Sequence, residues 1–183
     1  MEQRYNTFWP RFCAAFIDGL VLWPISWLLD SAQKASLPVV TYVAMFLDQT
    51  IPFAYSIYLH GTYGQTVGKW LMKVQVLSVD ETRLTMRQAF LRDSIGLSLI
   101  AVYLLFAISP VFSGVSPSSR EFYEHIPSVI WKVGLITFAL ELITMLTNEK
   151  RRALHDYIAG SVVVRRSNST IEREAPEAGR PSS

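Results

Sequence analysis

The sequence predicts an all-α integral membrane protein: a bundle of four transmembrane helices with a cytoplasmic loop that contains a short helix and a two-stranded β element. Three observations predict it. Half of the 183 residues are hydrophobic and only 17% are charged, against about 25% in soluble domains. Four apolar stretches, 12–29, 39–58, 95–112 and 128–147, approach the ~20 residues that cross a bilayer. Lysine and arginine also segregate between the connecting segments. Fourteen lie before the first stretch, between the second and third, and after the fourth; Lys34 and Arg120 stand alone in the other two loops, and Lys132 sits inside the fourth stretch. The positive side of a membrane protein is cytoplasmic, so both termini are expected inside.

The first stretch contains Asp18, follows Arg4 and Arg11, and lacks a small-residue cleavage site. It reads as a retained helix rather than a signal peptide. Trp9, Trp23, Trp27, Tyr58 and Trp131 fall near segment ends, where an interfacial aromatic belt would place them. Pro24, Pro52 and Pro110 predict kinks, because neighbouring helices re-satisfy the backbone groups that a proline frees. The loop 61–93 is punctuated by Gly61, Gly64 and Gly68, and its residues 65–72 suit a short helix on the membrane surface. Val74, Val76 and Val79 follow a β pattern, Asp80-Glu81 suits a turn, and residues 84–91 return to helical spacing. Val162-Val163-Val164 supplies a partner strand, so 74–79 is expected to pair with 161–166, although an isolated pair is marginal without support. The membrane domain thus covers 8–166. Residues 167–183 carry almost nothing apolar and are expected to be a disordered cytoplasmic tail.

Several function classes are excluded at this level. A net charge of +2 does not make a general polyanion binder, so no nucleic acid is expected. The single cysteine, Cys13, excludes an intrachain disulfide and a cysteine-rich metal site. Only three residues lie between Gly64 and Gly68 where a phosphate loop has four, and Trp70 follows Lys69 where it needs Ser or Thr. His155-Asp156 has no accompanying nucleophile, and neighbours on a helix point about 100° apart. His60 and His125 fall at opposite faces of the membrane. Neither a cofactor, a metal nor an enzymatic activity is expected.

The polar residues inside the apolar stretches point elsewhere. A charge at the bilayer centre costs about 2.5–3.5 kcal/mol on insertion scales, so such residues face a bundle interior or a wet cavity. Lys132 lies near a segment end and can snorkel. Asp18, Asp48 and Glu141 form the candidate proton or cation site. Asp18 and Glu141 lie at similar depth from one face, while Asp48 is nearer the midplane, four residues before Pro52. The proline leaves the carbonyl of Asp48 without its helical partner, next to the carboxylate. Ala14, Ala15 and Gly19 form a small-residue stripe that predicts close helix packing around Asp18. Arg11 precedes Asp18 by seven residues and shares its helix face to within about 20°. Asp156 is expected to pair with Arg11, or with Arg152 four residues before it.

The order of these pieces resembles the RDD family of bacterial membrane proteins. The matching residues are Arg11-Phe12-x-Ala14-x-x-x-Asp18, then Gly61-Thr62-x-Gly64-Gln65-Thr66-x-Gly68-Lys69 with Val74-x-Val76, then Arg92. The closing motif is Arg151-Arg152-x-Leu154-His155-Asp156-x-Ile158-Ala159-Gly160-Ser161. The arginine and two aspartates that name the family look like Arg11, Asp18 and Asp156, with Arg92 and His155 as further motif residues. Ser161 stands where the family usually has threonine. Asp48 and Glu141 are outside the motif. The resemblance implies a location in the bacterial inner membrane and involvement in transport, with exchange of monovalent cations for protons proposed for some members. A small secondary transporter of this kind, working as a homodimer in the lipid bilayer, is one expectation. The other is a non-transporting accessory or scaffold protein that docks a cytoplasmic partner through its loop and tail.

Overall fold

The computed structural model describes residues 2–34, 37–108 and 128–166. The tail expected over 167–183, positions 109–112 of the third apolar stretch, and Pro110, Arg120 and His125 lie outside the described residues.

A short helix α1 (Glu2–Tyr5) precedes two long ones, α2 (Phe8–Gln33) and α3 (Pro38–Tyr63), of 26 residues each. Both run unbroken through their internal prolines, Pro24 and Pro52. Then come α4 (Val67–Leu71), β1 (Val74–Ser78), α5 (Met86–Ile108), α6 (Ser128–Thr147), α7 (Leu154–Ile158) and β2 (Ser161–Arg165). Three helices are long and apolar enough to cross a membrane: α2, α5 and α6. The stretch 39–58 forms most of α3, but Asp48-Gln49-Thr50 and Tyr42, Tyr55 and Tyr58 dilute its apolar character. Its length suits a span, whereas its composition alone does not define one. Trp9, Phe16, Trp23 and Trp27 of α2, with Trp131, Leu135 and Phe138 of α6, are all more than half exposed. Such a surface suits lipid rather than water.

The chain folds locally as its capping residues dictate. Gly64 ends α3 at φ +70°, a left-handed conformation, and its N–H donates to the His60 carbonyl. Thr66 then caps α4, its hydroxyl accepting from the Lys69 N–H at 3.4 Å. Thr85 and Gln88 form a capping box at the start of α5: each side chain accepts from the other's backbone N–H, at 3.2 and 3.0 Å. The helix expected from 84 therefore begins at Met86.

β1 and β2 pair antiparallel, Val74 opposite Arg165 and Ser78 opposite Ser161, with Val76 facing Val163. This is the expected pairing, except that Val79 falls past the strand end and donates to the Gly160 carbonyl instead. The ribbon has the support that two strands need. Val74, Val76 and Val163 are fully buried against Leu84 and Ala89, with Ile57 of α3 and Met72 packed alongside. Because β1 follows α3 and β2 follows α6, the pairing brings the ends of α3 and α6 to the end of the bundle where α2 and α5 begin. All the small elements gather there.

Candidate functional site

Asp156 is the centre of that end. It is completely buried, at the third position of α7, and its Oδ2 accepts the Ala153 N–H at 3.0 Å. The same oxygen accepts from Arg11 Nη1 at 2.7 Å. The other oxygen accepts from Arg92 Nη1 at 2.5 Å and from the Ser161 hydroxyl at 3.1 Å. Burial opposes charge on this carboxyl, but the Arg92 and Arg11 guanidiniums hold it well below the usual carboxylate range. Arg11 and Arg92 are nearly as buried as Asp156, at 9% and 5% exposure. Three helices and β2 thus meet on one carboxylate.

Of the two partners foreseen for Asp156, Arg11 is the one found. Arg152 bonds to backbone carbonyls instead, those of Ser161 at 2.9 Å and Asp156 at 3.0 Å, and stacks over the Tyr157 ring. Arg92 is a second ion-pair partner that helical spacing could not show, because it lies 64 residues away in sequence. Its other amino group donates to His155 Nε2 at 2.9 Å. That bond assigns the imidazole proton to Nδ1, which donates to Glu141 Oε1 at 2.6 Å. A chain therefore runs Asp156–Arg92–His155–Glu141.

Asp18 does different work. Its Oδ1 accepts from the Tyr55 hydroxyl at 2.8 Å and the Gly68 N–H at 2.7 Å, and its Oδ2 accepts from the Thr66 hydroxyl at 2.5 Å. These bonds hold α4 against α2. Gly68 sits so close that a Cβ there would lie 2.1 Å from the Ala14 carbonyl oxygen. The short helix expected over 65–72 is thus α4, docked on α2, with Trp70 and Leu71 exposed beyond the contact. The small-residue stripe is corrected. Ala14 is buried against α4, but Ala15 and Gly19 are exposed, and nothing among the described residues lies within 4 Å of a Cβ built on Gly19.

A cavity of about 430 Å³ opens between these networks. Asp18 and Glu141 both line it, as their matching depth predicts, together with Arg11, Lys69, Arg92 and His155. Asp48 does not, and it makes no side-chain hydrogen bond or ion pair among the described residues. The three carboxylates are therefore not one site; Asp48 lies farther along its helix, a turn and more from Pro52 and Tyr55, which do reach the cavity.

Lys69 and His60 were not foreseen here. His60 is 2% exposed, and its Nδ1–H donates to the Ser56 carbonyl at 2.8 Å. Its Nε2 is left to accept from Lys69 Nζ at 2.6 Å. Burial, with the charges of Arg92 and Arg11, pushes the Lys69 ammonium down to about 7 against the attraction of Asp18 and Asp156. The one sequence signal was the placement of Lys69 three residues after the capping Thr66, which turns it back towards α3.

The fold and site define a class: a helical membrane protein whose small elements are clamped to the bundle end by buried Arg-Asp pairing. The chain belongs to the RDD family, whose profile matches residues 5–160. It is similar to the uncharacterized membrane protein YteJ of Bacillus subtilis (strain 168), 28% identical over 126 residues, which cover 63% of this chain and 77% of that protein. No solved structure matches the chain.

Proposed function

We propose that the protein is a small secondary transporter of the bacterial inner membrane, exchanging a monovalent cation for protons through the cavity at the base of α2, α3, α5 and α6. The carrying observation is that Glu141 and His155 line this cavity joined by a 2.6 Å hydrogen bond, each with about a quarter of its side chain exposed. Glu141 can hold a proton or a cation but gains little from holding both, which is the requirement for exchange. Arg92 fixes the histidine tautomer, so the Glu141 carboxylate always meets a donor. Asp18, engaged by three donors, serves as an anchor for α4 rather than as the exchanging group. In this reading α3 is the fourth span, the charged loop end is cytoplasmic, and a homodimer covers part of the exposed face of α6. No enzymatic step is involved.

The test is purified protein in sealed vesicles carrying a lumenal pH dye, with sodium, potassium or lithium gradients imposed. Wild type should show cation-dependent proton movement, Glu141→Gln should abolish it, and Asp48→Asn should leave it within about twofold of wild type. Full flux in Glu141→Gln would remove Glu141 from the mechanism. No flux with any of the three cations would sink the exchange reading and leave the accessory role.

A further inference from the structure

Arg11 uses only part of its guanidinium. Nη1 is committed to Asp156 at 2.7 Å, with the Met145 sulfur at 3.7 Å. Nε and Nη2 are buried and have no partner among the described residues, on a side chain only 9% exposed. These two N–H groups lie on the same edge of the planar group. That edge is the one that takes two oxygens of a carboxylate or phosphate side by side. Arg11 lines the cavity; the edge itself is covered, so a ligand in the cavity would meet it once the guanidinium turns towards the opening.

The neighbouring charges leave the edge unpaired among the described residues. Asp156 is shared with Arg92, Glu141 is engaged by His155, and Asp18 is engaged by Tyr55, Thr66 and Gly68. Lys69 also lines the cavity, bonds to His60, and forms no ion pair with a carboxylate among the described residues. Asp93 is the counterweight. It lines the same cavity, and its buried Oδ2 lacks a donor. A ligand that brings both an oxyanion and a hydrogen-bond donor would satisfy both unpaired groups, whereas a multiply charged anion would be repelled by Asp93.

We propose that the cavity binds a small oxyanion, a singly charged phosphate or carboxylate group seated on the Nε–Nη2 edge of Arg11. This does not depend on cation exchange, because binding is measured directly and without flux. The same chemistry could come from a free solute or from a phospholipid headgroup reaching in from the membrane.

Inorganic phosphate is titrated calorimetrically, near pH 6, into the full-length protein in nanodiscs of neutral phosphatidylcholine. Saturable binding is expected, and Arg11→Lys should weaken it at least about tenfold, because lysine keeps the charge but not the paired edge. Gly19→Leu provides a second variant that does not touch the ion pairs. Gly19 lines the cavity and has open space at its Cβ, so the leucine should fill the chamber and reduce binding in a folded protein. Repeating the titration in phosphatidylglycerol nanodiscs identifies the source. Loss of phosphate binding there assigns the site to a lipid headgroup, and unchanged binding assigns it to a free solute. No saturable binding to wild type in phosphatidylcholine, or equal binding in wild type and Gly19→Leu, overturns the proposal.

Discussion

Four donors converge on the carboxylate of Asp156, and two of them are buried guanidiniums. Removing the charge would leave Arg11 and Arg92 facing each other with no anion between them. Loss of one partner from a buried ion pair costs about 3–5 kcal/mol. Asp156→Asn is therefore expected to lower the unfolding temperature in detergent sharply and to cut accumulation in cells. A charge swap of Arg11→Asp with Asp156→Arg should not recover, because the new arginine would face Arg92; recovery in an accumulation assay would show that Arg92 is not a true partner. The pH dependence follows from the lowered pKa of Asp156. Its contribution is complete above about pH 4, the ordinary aspartate value, and is lost only as pH falls through the depressed folded-state value.

At the scale of elements, the decisive contact is α4 on α2. Five residues cannot hold a helix by themselves. α4 is held by the Asp18 carboxylate, the Thr66 cap and the close approach of Gly68 to Ala14. A methyl group on Gly68 has no room beside the Ala14 carbonyl, and overpacking of this kind costs about 1–3 kcal/mol. Gly68→Ala should thus lower thermal stability, whereas Gly19→Ala, in open space, should change it little. Equal stability of Gly68→Ala and wild type in a thermal unfolding assay would show that α4 is not clamped as described. The same reasoning explains why the ribbon β1–β2 persists: its inner valines are covered by α5 and α3, and the long helices are in turn tied together through it.

For the whole molecule, the arrangement of positive charge makes a definite prediction about orientation. Lys34 lies exposed at the end of α2, on the sparse side, and Glu81 lies exposed in the turn after β1, on the charged side. In a Cys13→Ala background, cysteine placed at Lys34 should react with a membrane-impermeant maleimide on intact cells. Cysteine placed at Glu81 should react only after the membrane is opened. The opposite pattern would invert the protein, and labelling of both in intact cells would deny that α3 spans.

The helices, the strand pairing and the end of the molecule where the polar residues collect were legible in the sequence. Each depends on local signals: runs of apolar residues, a period-two valine pattern, glycine and threonine caps, and the sign of flanking charge. These act over a few residues and so survive in one dimension. Arg11 with Asp156 was also within reach, because the two were expected at one level of the membrane. What only the tertiary structure decided is how the polar side chains divide their bonds. Asp18 became an anchor for a loop helix, Arg92 joined Asp156, Glu141 met His155, and Lys69 turned inward to His60, while Asp48 was left out. Buried polar groups must find partners wherever packing brings donors and acceptors within about 3 Å. Those partners lie up to 145 residues apart here, so their choice is set by how the helices pack and not by any spacing along the chain.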